Sequence, residues 1–415
     1  MRRKGIFKGI LAMLAAGILL QSAAGPSGQG AFDGTQADSG ETEHSTTVLV
    51  YLCGGDLESR FGAATGDIRE MAASGFDTSA VKLVIMAGGT RSRNFGTDAG
   101  QAVIIEIGEH GMRRLWTSEG PTNMADGETL KAFLDYGYAH YPAERCALIL
   151  WGHGGGPHEG LGPDELYGND TLTPEEIRTA LAGSFPAGEK LCWIGFDACM
   201  MATLETAWTV ADYAEYLIAS QGRESSDGWN YAFLKGLERD ADGEETARRI
   251  IGMSLDENEE TDELRSLSCI RLDRITEIRT AMERYFRALI PLMTEENFPE
   301  FLRARKAAAD FGDAKDGDEP DTGADYDPVD LKRLTEMLRH VPGCSERLLA
   351  AVGEATVCCR SNMGAVCGLS ICHPCHEDES RSGERDDYCT RFGDLSPAYM
   401  LYLQRFGELF TGQAR

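Results

Sequence analysis

The chain has 415 residues, enough for two or three domains of ordinary size. Its 67 acidic residues outnumber 40 basic ones, and the formal net charge of −27 argues against a nucleic-acid-binding protein, because a polyanion would be repelled. Hydrophobic residues make up 42% of the chain, which allows a substantial core. The acidity either serves solubility or attracts basic substrates.

The first 24 residues have the three parts of an export signal. Residues 1–9 are basic, residues 10–20 are apolar, and residues 21–25 are small or polar. The apolar run is shorter than the ~20 residues that a membrane helix needs. We therefore expect a signal peptide over 1–24, secretion, and no stable membrane span after its removal. Residues 25–45 are rich in Gly, Ser, Thr and acid and are expected to be a disordered leader.

Apolar runs alternate with helical patterns after residue 45. TTVLVYL at 46–52 is a β-branched run typical of a buried strand. Thr173, Pro174 and Glu176 have the spacing of a helix N-terminus with a capping box. Further strands are predicted at 81–88, 102–108, 112–118, 146–152, 190–196 and 215–221, and helices at 58–74, 125–140, 172–181 and 200–214.

This alternation predicts an α/β fold whose mostly parallel sheet is covered by helices on both faces. We expect it to occupy residues 46–240. From residue 241 charged helical patterns dominate, and residues 241–415 are expected to be mainly helical, with one strand returned near 367–372.

Two reactive side chains follow two of the predicted strands. Cys199 lies directly before the helix predicted at 200–214, where a helix dipole would lower the pKa of the thiol. His153 ends another strand and enters a run of three glycines. Catalytic groups in open α/β sheets collect at the carboxyl ends of strands, so this pair suggests a nucleophile and its proton-transfer partner. The alternative is a core cysteine and a loop histidine.

Longer stretches around these residues resemble a known family. LILWGHGGG at 148–156 and IGFDACMMATLETA at 194–207 together resemble the paired signature of the clostripain-like cysteine peptidases. These belong to a wider group with a caspase-like fold that includes gingipains, legumains and separases. The resemblance implies a caspase-like three-layer αβα core. It extends over most of the chain through segments at 47–58, 67–71, 217–231, 326–331 and 367–374.

The resemblance also implies roles for single residues. Cys199 would be the nucleophile that forms a thioacyl-enzyme, and His153 the general acid and base. The backbone N–H groups of Gly154 and Cys199 would form the oxyanion hole. Asp197 and Asp227 would form the S1 pocket and favour peptide or protein substrates with Arg or Lys at P1. For these two acids, a helix cap and a turn are the structural alternatives.

The chain departs from the family pattern in two places. Residues 157–177 contain no Lys or Arg, so self-cleavage at the usual place between histidine and nucleophile is not expected. The family's acidic cluster is replaced by Gln-Gly-Arg at 221–223, which leaves Glu224. This puts a calcium site there in doubt, and Ca²⁺ is the cofactor that the resemblance leaves open.

One motif belongs to a different class of protein. Cys372, Cys375 and His376 form a C-x-x-C-H sequence, the pattern of covalent haem attachment, and also carry metal-ligand side chains. No second C-x-x-C stands at a usual zinc spacing. We therefore predict a secreted cysteine endopeptidase that cleaves after Arg or Lys, with a non-catalytic peptide-binding relative and an exported metal or haem protein as the alternatives.

Overall fold

The computed structural model describes residues 45–92, 98–224, 228–237, 242–255, 265–308, 327–362, 366, 368–374 and 382–412. The predicted signal peptide and almost all of the predicted leader lie outside the described residues, as do Asp227, Cys375 and His376.

The described strands, in chain order, are β1 Thr46–Cys53, β2 Val81–Gly88, β3 Gln101–Gly108, β4 Gly111–Pro121, β5 Arg145–Trp151, β6 Leu161–Asp164, β7 Asp170–Leu172, β8 Trp193–Asp197, β9 Tyr216–Ala219, β10 Ser266–Arg271, β11 Pro328–Asp330, β12 Thr356–Ser361 and β13 Ser370–Cys372.

The described helices are α1 Ala63–Ala73, α2 Gly127–His140, α3 Pro174–Ser184, α4 Leu204–Val210, α5 Gly243–Ser254, α6 Ile275–Leu289, α7 Phe298–Ala308, α8 Leu331–Met337, α9 Cys344–Ala355, α10 Ser382–Phe392 and α11 Pro397–Phe410. Short helical turns cover Leu57–Phe61, Gly156–Glu159, Tyr231–Gly236, Leu272–Arg274 and Ile290–Leu292.

A nine-stranded sheet lies at the centre, in the order β12-β10-β9-β8-β5-β1-β2-β3-β4. Its middle strands, from β9 to β2, are parallel to one another. The strands at both edges pair antiparallel. All eight residues of β1 are buried, because helices cover the sheet on both faces and alternation of polar and apolar residues is not needed. The predicted α/β architecture is confirmed.

Two apolar cores lie on opposite faces of the sheet. On one face Leu49 belongs to the same buried cluster as Phe133 of α2. On the other face Val50 belongs to a cluster with Ile68 of α1 and Ile250 of α5. Successive residues of β1 thus face opposite layers, as the period of a strand requires. The result is a helix–sheet–helix sandwich.

The sheet continues past residue 240, since β10 and β12 extend it beyond β9. The division at residue 240 therefore stays a prediction. The strand expected near 367–372 is observed as β13, which pairs with β11 in a separate two-stranded sheet. Ser370 of β13 donates its N–H to the carbonyl of Ala202 at 3.0 Å, so this late segment lies beside the loop after β8.

The helix predicted at 200–214 is wrong in its first residues. Helix α4 begins at Leu204, and the Thr203 side chain caps it by accepting the Thr206 N–H. The loop before it is held from outside, because the Met200 N–H donates to the Gly222 carbonyl at 2.8 Å. Met200 has a φ of 59°, a left-handed conformation that a regular right-handed α-helix does not contain.

Candidate active site

The ends of β5 and β8 bring His153 and Cys199 to one cleft. Trp151 and Asp197 are register partners at the ends of these parallel strands, and each reactive residue follows two positions later. Both side chains line a cleft of about 720 Å³. Because the two strands end in register, the Cys199 thiol and the His153 imidazole lie at the same cleft.

A glycine is needed where the two strand ends meet. A Cβ atom at Gly154 would collide with the backbone of Cys199. The surrounding loop is fixed by the Gly155 N–H, which donates to Gly160 at 2.9 Å, and by the Gly162 N–H, which donates to His153 at 3.1 Å. Neither bond uses the Gly154 N–H. The backbone of Gly154 therefore lies close to Cys199 in a fixed loop, and its N–H is a suitable donor to an oxyanion.

The Cys199 thiol is not activated by a helix dipole, contrary to the expectation from sequence. Helix α4 starts five residues later, beyond the range of such an effect. Burial raises the pKa of Cys199, although the Glu224 N–H, which donates to Sγ at 3.2 Å, and the positive charge of Arg223 favour the thiolate. The thiol is therefore protonated at neutral pH and depends on a base for nucleophilic attack.

Asp56 is the partner of His153, a residue that was not among the site residues predicted from the sequence. Asp56 Oδ1 lies 2.7 Å from His153 Nε2. Partial burial opposes ionisation of this carboxyl, but the hydrogen bond and the charges of His153 and Arg60 outweigh it and hold the pKa of Asp56 below its usual value. The signal was present, since Asp56 follows β1, the strand beside β5. Asp56 therefore lies near the carboxyl end of a strand, as Cys199 and His153 do.

Asp197 ends β8 and is buried, with 4% of its surface exposed. It does not line the cleft. Its Oδ2 accepts the Tyr231 hydroxyl at 2.8 Å and the Trp229 N–H at 3.2 Å. The capping alternative fails, because Thr203 caps the next helix. Asp227, the other predicted S1 residue, is outside the described residues.

Glu224 forms a buried carboxyl pair with Asp197. Burial raises the pKa of Asp197 to about 6, against the hydrogen bonds from Tyr231, Trp229 and Glu224. Burial and the negative charge of Asp197 raise the pKa of Glu224 well above its usual range. Asp197 therefore ionises first, while Glu224 keeps its proton and donates it to Asp197. A buried negative charge therefore lies close behind Cys199.

The segment at 221–223 does not fit a calcium ion. The Gln221 amide is already used, since Nε2 donates to Asp330 at 3.0 Å and Oε1 accepts the Gly368 N–H. Gly222 has no side chain, and Arg223 adds a positive charge. Calcium prefers several oxygen ligands with carboxylates among them. These residues join the active-site loop to the later part of the chain instead.

The described half of the C-x-x-C-H motif is buried in the core. Cys372 donates its N–H to Glu205 Oε1 at 2.9 Å, and its carbonyl accepts the Tyr399 hydroxyl at 2.7 Å. Burial lowers the pKa of His373 to about 3, so its imidazole is neutral. Cys375 and His376 lie outside the described residues, and the metal or haem alternative depends on them.

Comparison with known proteins decides the family. A model of the clostripain family, Peptidase_C11, matches residues 50–340. The chain belongs to the clostripain family of cysteine peptidases. Clostripain from Hathewaya histolytica is 26% identical to this family member over an alignment of 198 residues, which covers 41% of this chain and 37% of the relative. The match thus spans little more than a third of that protein's length.

Solved structures of the same family share the fold. A secreted C11 cysteine protease from Bacteroides thetaiotaomicron, solved with an irreversible peptide inhibitor, aligns with a TM-score of 0.63 at 18% identity, over 85% of this clostripain-family chain and 98% of its own. An inactive zymogen C11 protease from Parabacteroides distasonis aligns with a TM-score of 0.63 at 19% identity, over 85% and 99%. The caspase-like fold predicted from the resemblance is confirmed.

Within the described ranges, no helix of this clostripain-family chain is both long and apolar enough to cross a bilayer.

Proposed function

We propose that this protein is a secreted cysteine endopeptidase that cleaves peptide bonds after Arg or Lys, with Cys199 as nucleophile and His153 as general acid and base. One observation carries the proposal. His153 and Cys199 line the same cleft, and Asp56 binds the histidine from behind at 2.7 Å. A thiol, an imidazole and an orienting carboxylate are the parts that acyl transfer needs.

The geometry suggests an order of steps. Since Asp56 engages Nε2, His153 has Nδ1 for proton exchange in the cleft. It removes the proton from the partly buried Cys199 thiol, and the thiolate attacks the substrate carbonyl. The N–H groups of Gly154 and Cys199 stabilise the oxyanion. His153 then protonates the leaving amine, and a water molecule that it activates hydrolyses the thioacyl-enzyme.

The S1 pocket is the less direct part of the proposal. Asp197 lies behind the nucleophile, and Gly228 leaves room beside it, because a Cβ there would lie 3.1 Å from Asp197 Oδ2. A substrate guanidinium or ammonium group that reaches Asp197 would pair with its negative charge, in place of the protonated carboxyl of Glu224. Asp227 remains the second proposed S1 residue.

Secretion rests on the export-signal pattern of residues 1–24 and on the secreted relative with the same fold. Mass spectrometry of the protein from culture medium tests it, and a mature chain beginning at residue 25 is expected. Intact full-length protein retained in the cells would contradict secretion.

Fluorogenic peptides that differ only at P1, with Arg, Lys or Ala, test the activity. Wild type is compared with Cys199→Ala and His153→Ala, with and without added calcium. Hydrolysis of the Arg or Lys peptides alone, lost in both variants, is expected. Equal silence of wild type and variants under every condition would overturn the proposed activity and favour a peptide-binding relative.

A further inference from the structure

We infer that the leaving-group side of the cleft has a subsite for a substrate carboxylate, formed by Arg60 and Arg91. The inference rests on the proposed function and adds a second requirement to it. Both arginines line the cleft that contains His153 and Cys199. Three arginines, these two and Arg223, line the cleft beside three carboxylates, so its formal charge is balanced in a chain of net charge −27.

The proton transfer by His153 indicates on which side of the cleft Arg60 lies. His153 must protonate the leaving amine, so the residues after the scissile bond run past His153, away from the acyl group on Cys199. Asp56 lies beyond the histidine, with Oδ1 on His153 Nε2 at 2.7 Å. Arg60 lies beyond Asp56, and its Nη1 donates to the other oxygen, Oδ2, at 3.2 Å. We place the series from His153 to Arg60 on the leaving-group side, because it begins at the group that protonates the leaving amine.

Arg91 is joined to the same wall through Glu165. The Arg91 backbone N–H donates to Glu165 Oε2 at 3.0 Å, and the Arg91 guanidinium donates to the Glu165 carbonyl at 3.1 Å. The other carboxylate oxygen, Oε1, accepts the hydroxyl of Ser59, the residue before Arg60, at 3.0 Å. Two arginines from distant parts of the chain are therefore held on one surface.

The carboxylates on this wall are already occupied. Asp56 uses one oxygen for His153 and the other for Arg60. Glu165 uses its two oxygens for a hydroxyl and a backbone N–H, while the Arg91 guanidinium meets a neutral carbonyl. Glu159 also lines the cleft, and its side chain packs against Gly155.

The guanidinium groups retain donors for a ligand. The Arg60 side chain is 69% exposed, and a guanidinium has five N–H donors in a fork that suits a carboxylate. The carboxylate has two sources in a peptide substrate, an Asp or Glu side chain at one of the first three positions after the cleaved bond, or the free C-terminus of a short substrate. Both would pair with the same guanidinium fork.

Quenched fluorescent peptides with Arg at P1 and a constant acyl side test the inference. Three substrates carry Glu at P1′, P2′ or P3′, and matched substrates carry Gln there. A fourth pair ends after P2′ as a free carboxylate or an amide. The quantity measured is the ratio of kcat/KM between the charged and neutral member of each pair. This ratio cancels any loss of folded enzyme in a variant.

We expect wild type to prefer one charged member by about five- to tenfold, as a charge-assisted contact at a partly exposed site gives. A preference among the Glu substrates identifies a side-chain subsite, and one confined to the truncated pair identifies a C-terminal subsite. The ratio should fall below about twofold in Arg91→Gln and Arg60→Gln/Arg91→Gln. It should be unchanged in Arg178→Gln, which removes an exposed arginine that does not line the cleft.

Salt gives an independent check, because raising it from about 50 mM to about 500 mM screens exposed charges and should lower the wild-type ratio. Ratios near one for all four pairs in an active wild type would overturn the subsite alone. So would a preference that Arg91→Gln and the double variant retain. Inactivity of wild type toward every peptide would overturn the proposed function, and the subsite with it.

Discussion

Replacing Asp56 by Asn tests whether this carboxylate positions His153 for proton transfer. The change keeps the size of the side chain and removes the charge that lies 2.7 Å from His153 Nε2. A hydrogen bond to a charged group contributes about 1.5–3 kcal/mol, and the lower part of that range applies here because the two side chains are 44% and 35% exposed. About 1.5–2 kcal/mol of lost transition-state stabilisation corresponds to a roughly 10- to 30-fold lower kcat.

The assay compares kcat and KM on one Arg-P1 peptide for wild type, Asp56→Asn and Asp56→Glu. We expect kcat to fall in Asp56→Asn while KM and the melting temperature stay within error, and Asp56→Glu to recover part of the loss. Because the pKa of Asp56 is below its usual value, its carboxylate is still charged at about pH 5. The ratio of kcat between Asp56→Asn and wild type should therefore be constant above about pH 5. A kcat within twofold of wild type would refute the positioning role.

Four further predictions concern the surroundings of Cys199 and of the buried Glu205. The kcat/KM on Arg peptides should rise as pH rises through about 6, where Asp197 ionises. Glu224→Leu removes a hydrogen bond that lowers the pKa of Asp197 and should move this rise to higher pH; the same midpoint in both proteins would contradict the shared proton. The same raised pKa makes the free energy of unfolding fall as pH rises from the usual carboxyl pKa towards 6, measurable by denaturant titration. Gly154→Ala should lower kcat/KM by at least about 100-fold, since its Cβ meets the nucleophile's backbone, and a near-normal rate would show that the loop yields. Tyr388→Phe removes a 2.6 Å donor from the buried carboxyl of Glu205 and should cost about 1–3 kcal/mol of stability, and an unchanged melting temperature would contradict it.

The parts of the fold that follow local chemistry could be predicted from the sequence. Strand β1 reads as buried because its apolar run is continuous, and it is buried throughout. The capping box at Thr173 is confirmed, with Glu176 returning a hydrogen bond to the backbone N–H of Thr173. The meeting of His153 and Cys199 follows from two reactive residues at equal distances from the ends of adjacent parallel strands.

The missed features depend on contacts that are distant along the chain. The apolar spacing after Cys199 fits a helix, but hydrogen bonds to residues 220 and 222 hold residues 200 and 202 in a loop. The pairing of Asp56 with His153 requires β1 to lie beside β5, and strand order does not follow from hydrophobic periodicity. The shared proton of Asp197 and Glu224 requires two segments that no sequence spacing brings together.

The hydrogen bonds from β13 to the segment after β8 form late in the synthesis of the chain. Ribosomes make the chain from its N-terminus, so Cys199 and His153 emerge well before Ser370, whose N–H binds Ala202, and Cys372, whose N–H binds Glu205. A nascent chain that ends before these residues has both reactive side chains without the strand that braces the loop between β8 and α4. The loop that carries Cys199 can therefore be braced only after β13 has been made.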